Sequence, residues 1–516
     1  MEIANSTIEI SEIYGRYLVA SKDIKSGEII LKDKPILIGP KINSELVCVN
    51  CYRILNKKFH VCTKCKLAPL CEPSCEDGKG DHTLTECQLF SKIQDKLPLM
   101  QLVSVFHMVT ILRGLALRSK ESKAEWKTLM NLEDHREKRK NTPIWELHDV
   151  TSKMIQNLGL LSEEDVKLDI IQKICGVLDV NSFELRASNN EPGSPGIDSI
   201  CGIFPTAALM AHSCVCNTHL AIDDFYNMTV RASVAIPKGA AILFNYTNSM
   251  QGTFNRREHL REGKYFECIC KRCGDATELG THTSSLKCWK CITGMIIMKN
   301  PLNISQYSSA DIWICNSCVN TLPGDRVKVI LDSILKEEEN LDKTDLKNIE
   351  NFISKVSRQL SPCHYILLEA KQQLAGVLRD YINKTWNVPK KIIVRKLEIC
   401  KEFLPLLDIL EPGISRLRAV TLYEVYYPIV QISNKAYEAG EISSNVLLIH
   451  LEEAEKYLKD AIKFLLFEPL STPEAMLCRR AMEELRDLKK SIDGVKIMMQ
   501  EETKAKSSKK SKKPNM

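Results

Sequence analysis

The sequence predicts an α+β protein of several domains, β-rich in its first half and α-helical in its last third. Three observations carry this. Short β-type runs broken by turn signals occupy residues 8–38 and 183–250. Cysteine is crowded toward the N-terminal side: of the 21 cysteines only Cys363, Cys400 and Cys478 lie beyond residue 320. From Arg326 onward apolar residues recur at helical spacing. A chain of 516 residues is also too long for one core.

Composition narrows the class. The net charge is +6, and the tail "KAKSSKKSKKPNM" holds six lysines and no acid, so the rest is near neutral. A broad nucleic-acid surface is not expected, although the tail suits nuclear import or polyanion contact. No apolar run reaches the roughly 18 residues that span a bilayer. The N-terminus lacks a basic segment followed by an apolar one, so no secretory signal is read there. The expectation is an intracellular monomer of nucleus or cytoplasm, with no membrane and no specific nucleic acid. In a reducing compartment, clustered cysteines point to metal rather than disulfides.

In chain order, residues 1–47 read as strands and a hairpin, broken at Gly15 and at Lys25-Ser26-Gly27. Residues 48–87 are cysteine-dense. Residues 88–180 are mostly helical; "MQLVSVFHMVTILRGLAL" and "EEDVKLDIIQKICGVL" place apolar residues at helical spacing. Residues 181–250 return to short strands, such as "MTVRASVAI" and "AAILFNY". Cysteine groups follow in 251–276 and 284–322. Residues 326–503 form an α-helical, repeat-like domain without a strict period. There Leu447, Leu451, Ala454, Leu458, Ile462 and Leu465 fall on one helix face, and Thr472-Pro473 caps the next helix. Residues 504–516 read as a disordered basic tail.

The cysteines sort into ligand sets. Cys48-x2-Cys51, Cys62-x2-Cys65, Cys71-x3-Cys75 and His82-x4-Cys87 suit two tetrahedral zinc ions. Alternation assigns Cys48, Cys51, Cys71 and Cys75 to one ion and Cys62, Cys65, His82 and Cys87 to the other. So short a segment has no adequate core of its own, and zinc is expected to supply much of its folding energy. Cys268-x-Cys270-x2-Cys273 leaves a tetrahedral ion one ligand short, and Cys214, in "ALMAHSCVCNTHL", is the candidate fourth. Cys288-x2-Cys291 and Cys315-x2-Cys318 form a zinc-ribbon pattern. Cys175, Cys201, Cys216, Cys363, Cys400 and Cys478 are left as buried small hydrophobes.

With these motifs in hand, the chain resembles the SET-and-MYND family of protein-lysine methyltransferases, in an arthropod SmydA-type branch. The 48–87 pattern looks like a MYND finger that, with the helical insert, splits a β-rich SET fold. "GIFPTAALMAHSCVCN" looks like the approach to the family's Asn-His-Ser-Cys loop, and "GAAILFNYTN" like the segment ending in the catalytic tyrosine, here Tyr246. "FECICKRC" looks like the post-SET motif. The resemblance implies S-adenosylmethionine as cofactor and a protein lysine as substrate, on histones or other proteins, with a role in transcription. It implies four zinc ions: two in the finger, one post-SET, one in the extra ribbon. It implies cofactor contacts from Gly15, Arg16, Tyr17, Asn181, Ala211, His212 and Phe266, and a lysine channel walled by Phe183, Tyr246 and Phe266. It also implies partner peptides, proline-rich ones included, at the finger and the C-terminal helices.

The chain departs from the family pattern in places. Ala211 stands where the family has Asn, and losing that amide contact is expected to cost about 1–3 kcal/mol, roughly 5- to 150-fold in affinity. Tyr17 replaces a second glycine, which strains or crowds the loop if that position needs positive φ or close backbone approach. Cys216 replaces a proline, and the His82 to Cys87 spacing is one residue longer than usual. These departures favour an alternative: a catalytically impaired adaptor that keeps the scaffold and binds partner peptides.

Overall fold

The computed structural model describes residues 5–56, 58–77, 80–119, 122–187, 197–303 and 307–510. The chain is an α+β protein in which a β-rich unit is assembled from two distant stretches of sequence.

The first stretch holds β1 (Ser6–Ser11), β2 (Gly15–Ala20), β3 (Ile29–Asp33) and β4 (Leu37–Pro40), then the short pair β5 (His60–Val61) and β6 (Pro69–Leu70). The second holds β7 (Ser182–Ala187), β8 (Ile197–Ile203), β9 (Ala211–His212), β10 (Thr218–Ile222), β11 (Met228–Ala232) and β12 (Leu243–Phe244). β1 and β2 form an antiparallel hairpin whose turn closes at Gly15, at φ 65°, a conformation glycine adopts without a Cβ penalty. The stretches then interleave. β3 pairs with β11, and β4 pairs with β8, both antiparallel. Sheet order is β10-β11-β3 and β4-β8-β7. β9 and β12 run parallel, with Ala211 opposite Leu243 and His212 opposite Phe244.

Between the stretches lie α1 (Leu84–Ile93), α2 (Leu99–Ser104), α3 (Met108–Ala116), α4 (Lys123–Met130), α5 (Arg136–Arg139), α6 (Pro143–Asn157), α7 (Glu163–Lys167) and α8 (Ile170–Asn181). Both helical runs expected in this region are broken in two. The first yields at 105–107, where the Ser104 hydroxyl turns back onto the Gln101 carbonyl. The second yields at Asp169, which sits at φ 49° and pairs with Arg136. The Ser162–Asp165 capping box starts the α7 turn on its own.

The finger is not an independent body. Val47, Val49, Leu67, Ala68 and Leu70 are fully buried and share one core with Leu31 of β3, Ile200 of β8 and Leu112 of α3. Its folding energy therefore comes in part from this common core, more than its length suggests. Of the six cysteines expected to be buried, Cys175, Cys201, Cys400 and Cys478 are, whereas Cys216 and Cys363 are half-buried.

After α9 (Thr253–Gly263) and α10 (Lys271–Gly274) comes a four-stranded antiparallel sheet, β13 (Leu286–Lys287), β14 (Met295–Met298), β15 (Ile312–Cys315) and β16 (Thr321–Pro323), in sequence order. The C-terminal helices are α11 (Gly324–Glu339), α12 (Leu346–Val356), α13 (Tyr365–Lys384), α14 (Lys390–Leu410), α15 (Arg416–Glu438), α16 (Ser444–Leu465) and α17 (Pro473–Lys510). Leu447, Leu451, Ala454, Leu458, Ile462 and Leu465 of α16 are all buried, as their spacing predicts. Thr472 caps α17 through its hydroxyl, which accepts from the Ala475 amide at 3.2 Å. The tail expected to be disordered from 504 instead continues α17 to Lys510. No glycine or proline interrupts it before Pro514, and Lys and Ala are good helix formers. Residues 511–516 lie outside the described residues.

The helical domain docks on the β-rich unit. The Ile414 amide donates to the Ser233 carbonyl at 3.0 Å. Gly413, at φ 78°, permits this approach; a Cβ there would sit 2.0 Å from the Ser233 oxygen. Glu468 pairs with His219 of β10 at 3.3 Å and with Arg416 at 2.7 Å. Among the described residues no helix is long and apolar enough to cross a membrane.

Candidate active site and metal centres

Four groups bring their ligand atoms within 4.8 Å of one another: Cys48, Cys51, Cys71, Cys75; Cys62, Cys65, His82, Cys87; Cys214, Cys268, Cys270, Cys273; and Cys288, Cys291, Cys315, Cys318. These are the sets that the cysteine spacing predicts. A tetrahedral ion with metal–sulfur bonds of about 2.3 Å holds its ligands about 3.8 Å apart. The observed separations match: 3.6 Å for Cys51–Cys71, 3.8 Å for Cys62–Cys87, 3.5 and 3.9 Å from Cys214 to Cys273 and Cys268, and 3.7 Å for Cys288–Cys318. The chemistry of the donors suits a thiophilic tetrahedral ion.

Local structure places each ligand. Cys87 lies on the first turn of α1, with Thr83 as cap and its own amide bonded to the Thr83 carbonyl. The long His82–Cys87 spacing is thus a helix start rather than slack loop. His82 turns its Nδ1 to Glu86 at 3.3 Å, leaving Nε2 for metal, 3.8 Å from Cys65. A carboxylate behind a ligating imidazole fixes its tautomer and orientation. Sequence reasoning missed what stands behind Glu86. Arg113, buried on α3, donates to both Glu86 oxygens at 3.0 and 3.1 Å, to the Ile38 carbonyl at 2.9 Å, to Tyr52 and to the Val49 carbonyl. One guanidinium thus ties the finger, the insert and β4 together. The signal was a lone arginine inside the apolar run "VTILRGLAL".

The post-SET cysteines are backed in the same way. Arg256 donates to Glu278 at 2.8 Å and reaches the Cys273 sulfur at 3.5 Å. Arg272 lies 3.1 Å from Glu278, and all three are buried. Burial alone raises the Glu278 carboxyl, but the two guanidiniums and neighbouring hydroxyls outweigh it and hold it at about 2. Four thiolates around a divalent ion carry net negative charge, which this arginine pair offsets.

Cys214 carries the ligand set into the centre of the molecule. Two residues before it, His212 sits on β9. Its Nδ1 accepts the Tyr246 amide N–H at 3.1 Å, and its Nε2 lies 3.4 Å from the Cys214 sulfur. With Nδ1 accepting, Nε2 carries the hydrogen and donates to the sulfur. Both ring nitrogens are therefore engaged within the protein. The ring anchors Tyr246 and Cys214, and the backbone on either side of it is paired with β12. The Tyr246 hydroxyl donates to the Met210 carbonyl, and burial pushes that phenol well above its ordinary range.

The aromatic residues converge. Tyr246 lies 5.1 Å from His212, 6.1 Å from Phe244 and 6.5 Å edge-on from Phe266. Phe183 meets Phe244 at 5.9 Å and Phe204 at 5.8 Å. Phe183, Phe244, Tyr246 and Phe266 are half-buried, a row of rings with one side open. Phe244 and Phe204 are members that the sequence reading did not name.

Two of the remaining expected cofactor residues, Arg16 and Asn181, meet at the segment 131–138, which runs from a loop into α5 and was also unforeseen. Arg16 donates to the Asn131 carbonyl at 2.6 Å. Asn181 donates to the Glu133 carbonyl at 2.7 Å. Lys138 donates to the Tyr265 carbonyl at 2.7 Å, and the His135 ring lies 5.7 Å from Tyr265. This segment thus joins the Gly15 hairpin, the end of α8 and the stretch leading to Phe266. Glu133 keeps Oε2 without a partner among the described residues, and Arg16 keeps unspent N–H donors. Tyr17 is a strand residue without positive φ, so it carries no backbone strain; its ring rests 5.1 Å from Tyr14. Tyr14 is raised by burial and then by the thiolates of Cys268 and Cys270, which sets the hairpin beside the post-SET cysteines. Ala211 is buried and offers no polar group.

Comparison with known proteins agrees with this geometry. Residues 15–247 match the SET domain. The chain is 27% identical over 392 residues to the SET domain-containing protein SmydA-8, isoform A, of Drosophila melanogaster, covering 72% of this chain and 77% of that protein. It is 25% identical over 276 residues to the histone-lysine N-methyltransferase ASHR1 of Arabidopsis thaliana, covering 51% of this chain and 53% of the relative. It is 24% identical over 287 residues to the histone-lysine N-methyltransferase Smyd1 of Mus musculus, covering 52% and 56%.

Proposed function

We propose, from the premise that this chain belongs to the SET-and-MYND family of lysine methyltransferases, that it transfers a methyl group from S-adenosylmethionine to a protein lysine, with Tyr246 as the catalytic residue. The observation that carries the reading is the fixing of Tyr246 from both ends, its amide on His212 and its hydroxyl on the Met210 carbonyl, at the open side of an aromatic row.

S-adenosylmethionine, when bound, supplies a methyl on a sulfonium sulfur that a lysine amine attacks in line. The chain's own residues then hold geometry and exclude water. Phe183, Phe244 and Phe266 line a narrow apolar channel, which favours the neutral, nucleophilic amine over the ammonium by desolvation. The Tyr246 oxygen faces the reacting centre and orients the amine. Arg16 and Glu133 would hold the charged and hydroxyl ends of the cofactor, and the 211–213 segment would line its site. The four ligand sets hold four zinc ions: two in the finger, one in the post-SET segment and one in the ribbon. The chain acts as a monomer in nucleus or cytoplasm, on histone or other protein lysines. Partner peptides dock at the finger and the C-terminal helices.

A second reading is supported by Ala211 and Tyr17. Without the side-chain amide at 211 the cofactor is held more weakly, and the scaffold serves as an adaptor for partner peptides. Transfer of labelled methyl from S-adenosylmethionine to histone and peptide arrays separates the two. Transfer by the wild type and none by Tyr246→Phe supports the enzyme; no transfer by either, with partner binding lost on Cys62→Ser, supports the adaptor.

A further inference from the structure

The ribbon of β13–β16 packs on α9 and on the helical domain at the end away from its ligand turns. Trp313 is fully buried and stacks on Tyr307 at 6.0 Å, which packs on Phe254. Leu286 bridges to Leu360, and the Lys287 amide donates to the Gln359 carbonyl at 2.7 Å. The opposite end is the pair of metal-binding turns, each Cys-x2-Cys followed by a β-branched aliphatic residue, Ile292 after Cys291 and Val319 after Cys318. Ile292 is 104% exposed and Val319 97%, with Trp289 at 58%. The two turns are drawn together, since Cys288 lies 3.7 Å from Cys318 and Cys291 3.5 Å from Cys315. Large apolar side chains held fully in water on a rigid tip are not explained by folding.

Charge identifies what would cover them. Between Glu278 and Asp325 the single acid is Asp311, and it is spent capping the Ser308 amide and hydroxyl at 2.7 and 3.1 Å. The same stretch holds Lys287, Lys290 and Lys299. Lys290, between Trp289 and Cys291, makes no side-chain bond or ion pair among the described residues. Lys287 is spent on the Ser357 carbonyl at 2.8 Å and Lys299 lies beside Ile312 at the far end of the strand, so the tip is apolar with Lys290 as its charge and no acid in either turn. Nucleic acid fits it poorly: base stacking needs aromatic faces in series, and the tip offers one tryptophan beside two aliphatic residues.

We propose that the ribbon tip, Trp289, Ile292 and Val319 with Lys290, is a docking surface for an acidic, apolar peptide segment of a partner protein. The partner's aliphatic or aromatic residues cover Ile292 and Val319, and its carboxylates face Lys290. This site is separate from the aromatic channel and does not depend on methyl transfer. Cys288, Cys291, Cys315 and Cys318 draw the two turns together, and an ion held by them would keep the ordering cost of binding small.

The test is selection of phage-displayed random dodecapeptides on the full-length, zinc-loaded protein, with counter-selection on the Ile292→Ser/Val319→Ser variant. Enrichment of peptides pairing Asp or Glu with Leu, Ile or Phe is expected. A synthetic copy of an enriched peptide should bind the wild type and lose about tenfold or more in affinity on I292S, on V319S and on Lys290→Glu. Zinc content and melting temperature equal to wild type qualify each variant, and the three single variants stand in if the double one misfolds. Enrichment of basic or neutral peptides, equal binding by wild type and variants, competition by a thymidine oligonucleotide, or a dimer that V319S dissolves would each overturn the proposal.

Discussion

His212 joins Tyr246 to Cys214: one imidazole accepts the tyrosine's amide hydrogen at 3.1 Å and faces the cysteine's sulfur at 3.4 Å with its other nitrogen. Tyr246, the residue proposed to be catalytic, and the ligand set of Cys214, Cys268, Cys270 and Cys273 therefore share a positioning residue. His212→Ala should lower the stability of the chain by about 1–3 kcal/mol, the cost of leaving a buried donor unsatisfied. Methyl transfer should fall mainly in kcat, because Tyr246 shifts while the channel walls stay. Thermal melts with initial-rate kinetics read both; an unchanged kcat would separate the ring from the chemistry.

Tyr246→Phe removes one hydroxyl and its bond to the Met210 carbonyl. A stability loss of about 1 kcal/mol is expected. The rings around it, Phe244 and Phe266, keep their neighbour. If the phenol serves the reacting centre as proposed, cofactor affinity should stay within about threefold of wild type while transfer is lost. Calorimetry against single-turnover methyl transfer distinguishes these effects.

Glu278 is the one carboxylate shared by Arg256 and Arg272 in a buried site. Glu278→Gln should cost about 3–5 kcal/mol, because two buried guanidiniums lose their counter-charge. The sign of the pH effect follows from its depressed folded pKa of about 2. Its contribution is fully present above the unfolded carboxylate value of about 4.3 and is lost as pH falls through about 2. The wild-type-minus-variant stability, from denaturant melts, should be flat from pH 5 to 8 and shrink below about pH 4. A gap that widens on acidification would contradict this assignment.

Arg113 and Glu86 support His82 as a metal ligand. Glu86→Gln should weaken zinc at the His82 site by about 10- to 100-fold and leave the Cys48 site unchanged. Competition with a chromophoric chelator, reading each ligand set's zinc in turn, resolves this as weakening at one set only. Arg113→Ala should in addition lower the melting temperature of the whole β-rich unit, because its guanidinium also bonds the Ile38 and Val49 carbonyls.

The metal ligands were legible in the sequence because thiolate spacing is a local signal. Even the long-range member, Cys214, followed from counting: Cys268, Cys270 and Cys273 leave a tetrahedron one ligand short. The α16 face was legible for the same reason, since its period is local. The junction at segment 131–138 was not. It is made by the carbonyls of Asn131, Glu133 and Tyr265, and a carbonyl looks alike in every residue. Nor was the pairing of Arg113 with Glu86 or Arg256 with Glu278, where partners meet only after the chain has folded. The breaks at Asp169 and before Met108 escaped the helical pattern because apolar periodicity continues across a turn that single side chains decide.

The most direct test of a cofactor site beside Tyr246 is isothermal titration of S-adenosylmethionine into the full-length, zinc-loaded chain. Saturable one-to-one heat, weakened by Arg16→Ala and tightened by Ala211→Asn, is the predicted result. Absence of heat at millimolar cofactor from a folded protein holding its zinc would contradict it.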